Sequence, residues 1–164
     1  MNDTGEAWSG PVRVTRRDFE GKQQHAVQLM VDAAPRSTVA LALPAEVATP
    51  GGPRCEVLVV ETESARGLWF FAEDRDSDLP APSYDASVTR TAAGFAVQVA
   101  ALSLVRDLAL LVDKVDPDAI VDDMLTTLLP GETLTWQVTS SADADPAAFL
   151  HPTVLRSANQ LVHP

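Results

Sequence analysis

Residues 102–139 read LSLVRDLALLVDKVDPDAIVDDMLTTLLPGETLTWQVT, and the last third of that stretch decides the fold class. Pro130-Gly131 is a turn with a physical cause: proline presets φ at the second position, and glycine tolerates the positive φ that a type II turn needs next. Beyond it Leu134, Trp136 and Val138 alternate with Thr133, Thr135, Gln137 and Thr139. A period of two puts one apolar row on one face of a strand and a hydroxyl and amide row on the other. Upstream, Leu102–Val115 is ambiguous. Leu104, Val105, Leu108, Leu111, Val112 and Val115 share one face of an ideal helix, yet Leu104, Leu108, Leu110 and Val112 also fit one strand face, with Arg106 as the violation. Asp116-Pro117-Asp118 then turns the chain, and Ile120–Leu129 leads into the Pro-Gly turn.

Working outward, Tyr84, Ala86 and Val88 alternate with polar residues, Ala92-Ala93-Gly94 turns, and Phe95, Val97 and Val99 alternate again, which predicts a hairpin. Before it, Glu73–Pro82 (EDRDSDLPAP) combines a charge run with two prolines and marks a domain junction. A long solvated loop inside one domain is the alternative. The first half predicts strands at Val12–Thr15, Val27–Val31, Val39–Leu43, Cys55–Thr62 and Leu68–Ala72. Asp18–Lys22 is a hairpin loop with Gly21 free to take positive φ, and Pro44–Pro53 is a loop. Cys55–Thr62 is apolar on both faces in its middle, as a central strand would be. After Ser140–Pro146, a polar linker, the tail 147–164 carries Leu150, Val154, Leu155, Leu161 and Val162, and either docks on the second domain or frays. Many short strands between Gly/Pro turns predict an all-β chain of two tandem β-sandwiches, 1–78 and 79–164.

The 164 residues carry a formal net charge of -11, which argues against nucleic acid and anionic membranes as partners. A hydrophobic content of 46% supports a real core. Cys55 is the only cysteine, so no internal disulfide forms. The N-terminal residues lack a signal-peptide apolar run, and the expected setting is cytoplasmic. An extracellular origin stays open if the chain was cut from a larger one.

Carboxylates are numerous enough to pair by chance. Asp122-Asp123 with Asp116 and Asp118 is a candidate cation site, against a turn in which aspartates bond backbone amides. Glu73–Asp78 is a second candidate, against a solvated linker. Glu61 and Glu63 have the look of an acid and nucleophile pair for glycoside hydrolysis, against an exposed strand end. His25, His151 and His163 are scattered, and Ser103 and Ser157 have no histidine nearby in sequence. Trp8, Trp69 and Trp136 are either a sugar-stacking platform, with Trp8 and Trp69 as the exposed pair, or core and interface residues. These weighings assign no catalytic, cofactor-binding or metal-binding residue.

Several stretches together resemble the two immunoglobulin-like domains that follow the catalytic barrel in β-mannosidases of glycoside hydrolase family two. NDTGEAWSGPVRVTRRDFEGK (Asn2–Lys22) resembles the start of the first such domain, and GLWFFAEDRD (Gly67–Asp76) its last strand. VDDMLTTLLPGET (Val121–Thr133) resembles the final domain's "S-D-N-F-F-D-L-L-P-G-E" motif, with Met124 and Thr126 where the family has aromatic residues. LVRDLALLVD (Leu104–Asp113) resembles the strand before it, which resolves the ambiguity toward strand. The resemblance implies two immunoglobulin-like sandwiches and a retaining β-mannosidase as parent, acting through two glutamates on a barrel. Such a barrel needs about 250 residues, and no residue here matches either glutamate. The implied role is non-catalytic support of a barrel, in cis or as a separate chain. A carbohydrate-binding module and an unrelated interaction sandwich are the alternatives.

Overall fold

The computed structural model describes residues 1–162; His163 lies outside them. The chain divides into two compact units, Met1–Asp18 with Lys22–Asp78, and Phe19–Gly21 with Leu79–Pro164.

The first unit is built on an antiparallel sheet of β1 (Trp8–Asp18), β2 (Gln23–Ala33), β3 (Glu56–Glu61) and β4 (Arg66–Phe70), in the order β2-β1-β3-β4. Gly21 at φ +87° closes the β1–β2 hairpin, as the sequence predicts. Val57, Leu58 and Val59 are all buried, so β3 is central and apolar on both faces. On one face Val12, Val14, Val31 and Leu58 pack with Val47. Val47 lies on α1 (Ala45–Ala48), a single helical turn within the segment read as loop. Pro44, at φ -56°, leads into it, and proline's preset φ suits a helix start.

One expected strand is absent. Residues 38–43 carry the alternation but belong to no strand. Alternation supplies side-chain rows, whereas a strand also needs a neighbouring backbone to bond. Only Ser37 finds one, exchanging hydrogen bonds of 2.8 and 3.0 Å with Asn2.

The second unit is a sandwich of immunoglobulin type. One sheet has the order β5-β6-β10-β8, from β5 (Tyr84–Thr91), β6 (Gly94–Ala101), β10 (Thr133–Thr139) and β8 (Ile120–Val121). The other is β11-β7-β9, from β11 (Leu155–Arg156), β7 (Val105–Leu110) and β9 (Thr126–Leu128). Phe95, Val97, Val99, Trp136 and Val138 from the first sheet meet Val105, Leu108, Leu110, Leu128 and Leu155 from the second. The predicted hairpin forms, and its turn requires glycine: a Cβ at Gly94 would sit 2.3 Å from the Val138 carbonyl oxygen. The Leu-Pro-Gly-Glu turn is type II. The Glu132 N–H donates to Leu129 O at 3.0 Å, Gly131 has φ +87°, and the Glu132 carboxylate accepts from Leu129 N–H at 2.8 Å.

The strand reading of 104–113 holds over β7, and the structure explains the competing pattern. β7 is bulged between Val105 and Leu108, with Asp107 at φ +48°. The bulge turns two residues three apart toward the core, which reads as a helical spacing. The tail docks: β11 pairs with β7, Val154 and Leu155 are buried, and so is Phe149, whose ring lies 4.7 Å from that of Phe95.

Candidate functional site

The aspartates singled out by sequence are used locally. Asp122 accepts from Gln137 N–H at 3.0 Å, and Asp123 from Met124 N–H at 2.8 Å and the Thr126 hydroxyl at 3.3 Å. Asp116 accepts from the Ser140 hydroxyl and from Asp118 N–H at 3.1 Å. These are turn contacts, and among the described residues no three carboxylate, histidine or cysteine groups converge as metal ligands. The Ser140 hydroxyl, then the Asp118 N–H, hold the Asp116 carboxyl below its ordinary range, against a smaller opposing effect of burial. A lowered folded-state value means the carboxylate stabilises the fold above the unfolded value, about pH 4. That contribution drains away as pH falls through the folded value. Urea midpoints of the protein and of D116N, measured at pH 7 and pH 3, are therefore expected to differ more at pH 7 than at pH 3.

Glu61 ends β3 in register with Arg13 on one side and Arg66 on the other, while Glu63 lies beyond the strand in an exposed turn. Neither residue lines the first unit's cleft, which Trp8 and Leu41 help to form. Within Glu73–Asp78, Arg75 pairs with Glu73 at 3.1 Å and Asp76 at 3.5 Å, and Arg54 forks onto Asp78. The acidic run is thus laced to arginines at the surface. The Ser103 hydroxyl donates to Ala81 O and accepts from Ser83 N–H. His25 and His151 are exposed, His151 bonding Thr153 at 2.9 Å. Partial burial, then the Glu56 carboxylate, raise the Cys55 thiol above its ordinary value, which makes it a poor nucleophile at neutral pH.

The tryptophans separate. Trp136 is fully buried in the second unit's core. Trp8 packs against the first unit's core, its ring over Gly10, where a Cβ would meet it at 2.9 Å. Trp69, on β4, is 65% exposed. Register sets Trp69 opposite Leu58, and Leu58 opposite Arg16. Trp8 to Arg16 along β1 is roughly 26 Å at about 3.3 Å per residue. Trp8 and Trp69 therefore form no joint stacking platform, because strand register, invisible in the sequence, sets them at opposite ends of the sheet.

Three buried polar anchors escape a reading of the sequence. The Asn2 amide, at the start of the N-D-T opening, donates to Glu6 O, Ala33 O and Ala34 O while its oxygen accepts from Thr4. Arg16 is ion-paired with Glu56, both nearly buried. Arg16 also donates to Glu46 O at 3.0 Å, and Glu56 accepts from Gly51 and Gly52 N–H at 3.2 and 2.9 Å. Asn159, fully buried, donates to Pro80 O and Leu104 O and accepts from Arg106 N–H, each at 2.8 Å. All three hold irregular backbone against strands. The N-D-T opening is the one available signal, and only for Asn2.

In the first unit a cleft of about 370 Å³ is lined by Met1, Trp8, Val12, Val31, Val39 and Leu41 among others. Among the described residues no helix is long and apolar enough to cross a membrane.

No family model and no curated protein matches the chain. Solved structures do. The β-D-mannosidase of Dictyoglomus thermophilum superposes with a TM-score of 0.65 at 16% identity, over 85% of this chain and 17% of its own. The exo-chitosanase CsxA of Amycolatopsis orientalis gives a TM-score of 0.54 at 14% identity, over 96% of this chain and 24% of its own. The fold is one carried inside two glycosidases. The chain spans 17–24% of the length of the enzymes it matches. The all-β resemblance drawn from the motifs is thereby upheld at the level of fold.

Proposed function

We propose that this chain is the non-catalytic β-sandwich portion of a family-two β-mannosidase, two immunoglobulin-like domains at 1–78 and 79–164 that buttress a catalytic barrel. The observation that carries it is the superposition of 85% of the chain on only 17% of a β-D-mannosidase. The site geometry supports it: the carboxylates weighed as cation ligands are committed to backbone amides and arginines. Its work is packing. Buried apolar contact with a barrel stabilises both partners by mass action, with no step of bond cleavage assigned to this chain. The setting is cytoplasmic in this reading.

Co-expression with the glycosidase barrel encoded nearest to it tests the reading. Stable co-purification of the two is expected, with the barrel unfolding at higher temperature in the complex than alone. Failure to associate at any salt concentration, with both proteins folded, contradicts it. The carbohydrate-binding alternative loses its main structural support with the separation of Trp8 from Trp69.

A further inference from the structure

The segment that fails to become a strand keeps a strand's alternation but has no neighbour to pair with among the described residues. Residues 38–43 (TVALAL) keep the two-residue alternation: Val39 and Leu41 line the cleft and Leu43 packs on the core, while Thr38, Ala40 and Ala42 are exposed. Their backbone N–H and C=O groups make no hydrogen bond among the described residues. Val39 and Leu41 are 38% and 42% exposed, unusual for apolar side chains aimed at a sheet. Immediately beside them, Asn2 and Ser37 form an antiparallel bridge with both hydrogen bonds made. An unpaired strand edge next to an apolar cleft is a template for another strand.

We propose that this edge takes a β-strand of the polypeptide that carries the catalytic barrel, antiparallel to Thr38–Leu43 and meeting this chain at Met1. The partner's identity rests on the proposed function; the strand site does not. The existing bridge fixes the register. Asn2 opposite Ser37 sets Met1 opposite Thr38, so the residues that would continue before Met1 lie opposite Val39, Ala40 and Leu41 in turn. Directly opposed residues point to the same face. The first, third and fifth residues of the incoming strand, counted back from Met1, therefore face the cleft and are apolar. Because Ser37 is a hydrogen-bonded pair member, Val39, Leu41 and Leu43 are too. Asp3 is the charged residue lining the cleft, which favours a lysine or arginine on the incoming strand. A second copy of this chain is a poorer occupant, since two chains of net charge -11 repel.

The test uses two fusions to the full chain, each adding six alternating valines and threonines directly before Met1. One has valine at the first, third and fifth places back from Met1; the other is shifted by one, which turns every valine outward. The in-register fusion is expected to raise Tm by about 5 °C and to slow amide exchange at Val39, Leu41 and Leu43 at least about tenfold, leaving Ala40 and Ala42 fast. Equal gains from both fusions, or no protection from either, overturn the strand site. Adding the barrel-bearing protein to the unfused chain is expected to protect the same three amides. Association that leaves them unprotected overturns the inference while the accessory role stands; no association, with the in-register fusion still working, sinks the accessory role and the choice of partner. Protection that instead grows with the chain's own concentration and vanishes in L41K assigns the edge to a second copy and overturns the proposal.

Discussion

Asn159→Ala is expected to lower the free energy of unfolding by about 3 kcal/mol, because three polar backbone groups lose their partner at once and such groups cost roughly 1–3 kcal/mol each when left unpaired. Pro80 O, Leu104 O and Arg106 N–H converge on this one amide, which is fully buried. These partners are 79, 55 and 53 residues away in sequence, so the side chain closes three long loops and seats the tail on β7. Asn159→Asp is expected to fare no better, since it keeps the acceptor and loses both donors while adding a buried charge. Leu161→Ala, two residues on and 75% exposed, is the control, with an effect within about 0.5 kcal/mol. Urea denaturation measures all three. Limited proteolysis should show the tail of the Asn159 variants cut first. An Asn159→Ala loss no greater than that of Leu161→Ala would mean that the tail is held by Phe149 and Leu155 alone.

The ion pair of Arg16 and Glu56 carries the second large effect. Removing one partner strands the other, and breaking a buried pair this way costs about 3–5 kcal/mol. Arg16→Met and Glu56→Gln are each expected to destabilise the first unit on that scale. The double variant should lose far less than the sum. Its new glutamine side chain keeps one of the two glycine N–H bonds through its single oxygen, and no buried charge would remain. A double-mutant cycle in urea reads the coupling directly. Strict additivity of the two losses would show that Glu56 serves the glycine amides and owes little to Arg16. The surface fork of Arg54 on Asp78 looks similar on paper but is solvated on both sides, and exposed pairs contribute little.

These anchors mark the limit of what the sequence discloses. β10 and its Pro-Gly turn are legible because alternation and turn chemistry are local, and each residue of 130–139 states its own role. β7 is ambiguous because its bulge at Asp107 gives a strand the spacing of a helix. Residues 38–43 read as a strand on a correct pattern, but pairing is not a property of one segment. Asn159, Arg16 and Glu56 carry no periodic signal; each matters through partners that only the fold brings near. Phe149, in the run 147–150, shows no periodic pattern, yet it packs on the core ring of Phe95. The tryptophan platform fails because spacing along the chain says nothing of strand register, and the aspartates weighed as cation ligands are held by local amides that the spacing does not reveal.

In the proposed role this chain folds as support, and bond cleavage belongs to a barrel it does not contain. The most direct test is hydrolysis of an aryl β-mannoside by three preparations: the purified chain, the barrel-bearing protein alone, and the two mixed. The proposed role predicts no turnover by the chain, turnover by the barrel, and a longer half-life of that activity at elevated temperature in the mixture. Turnover by the purified chain that tracks its own elution profile would contradict it.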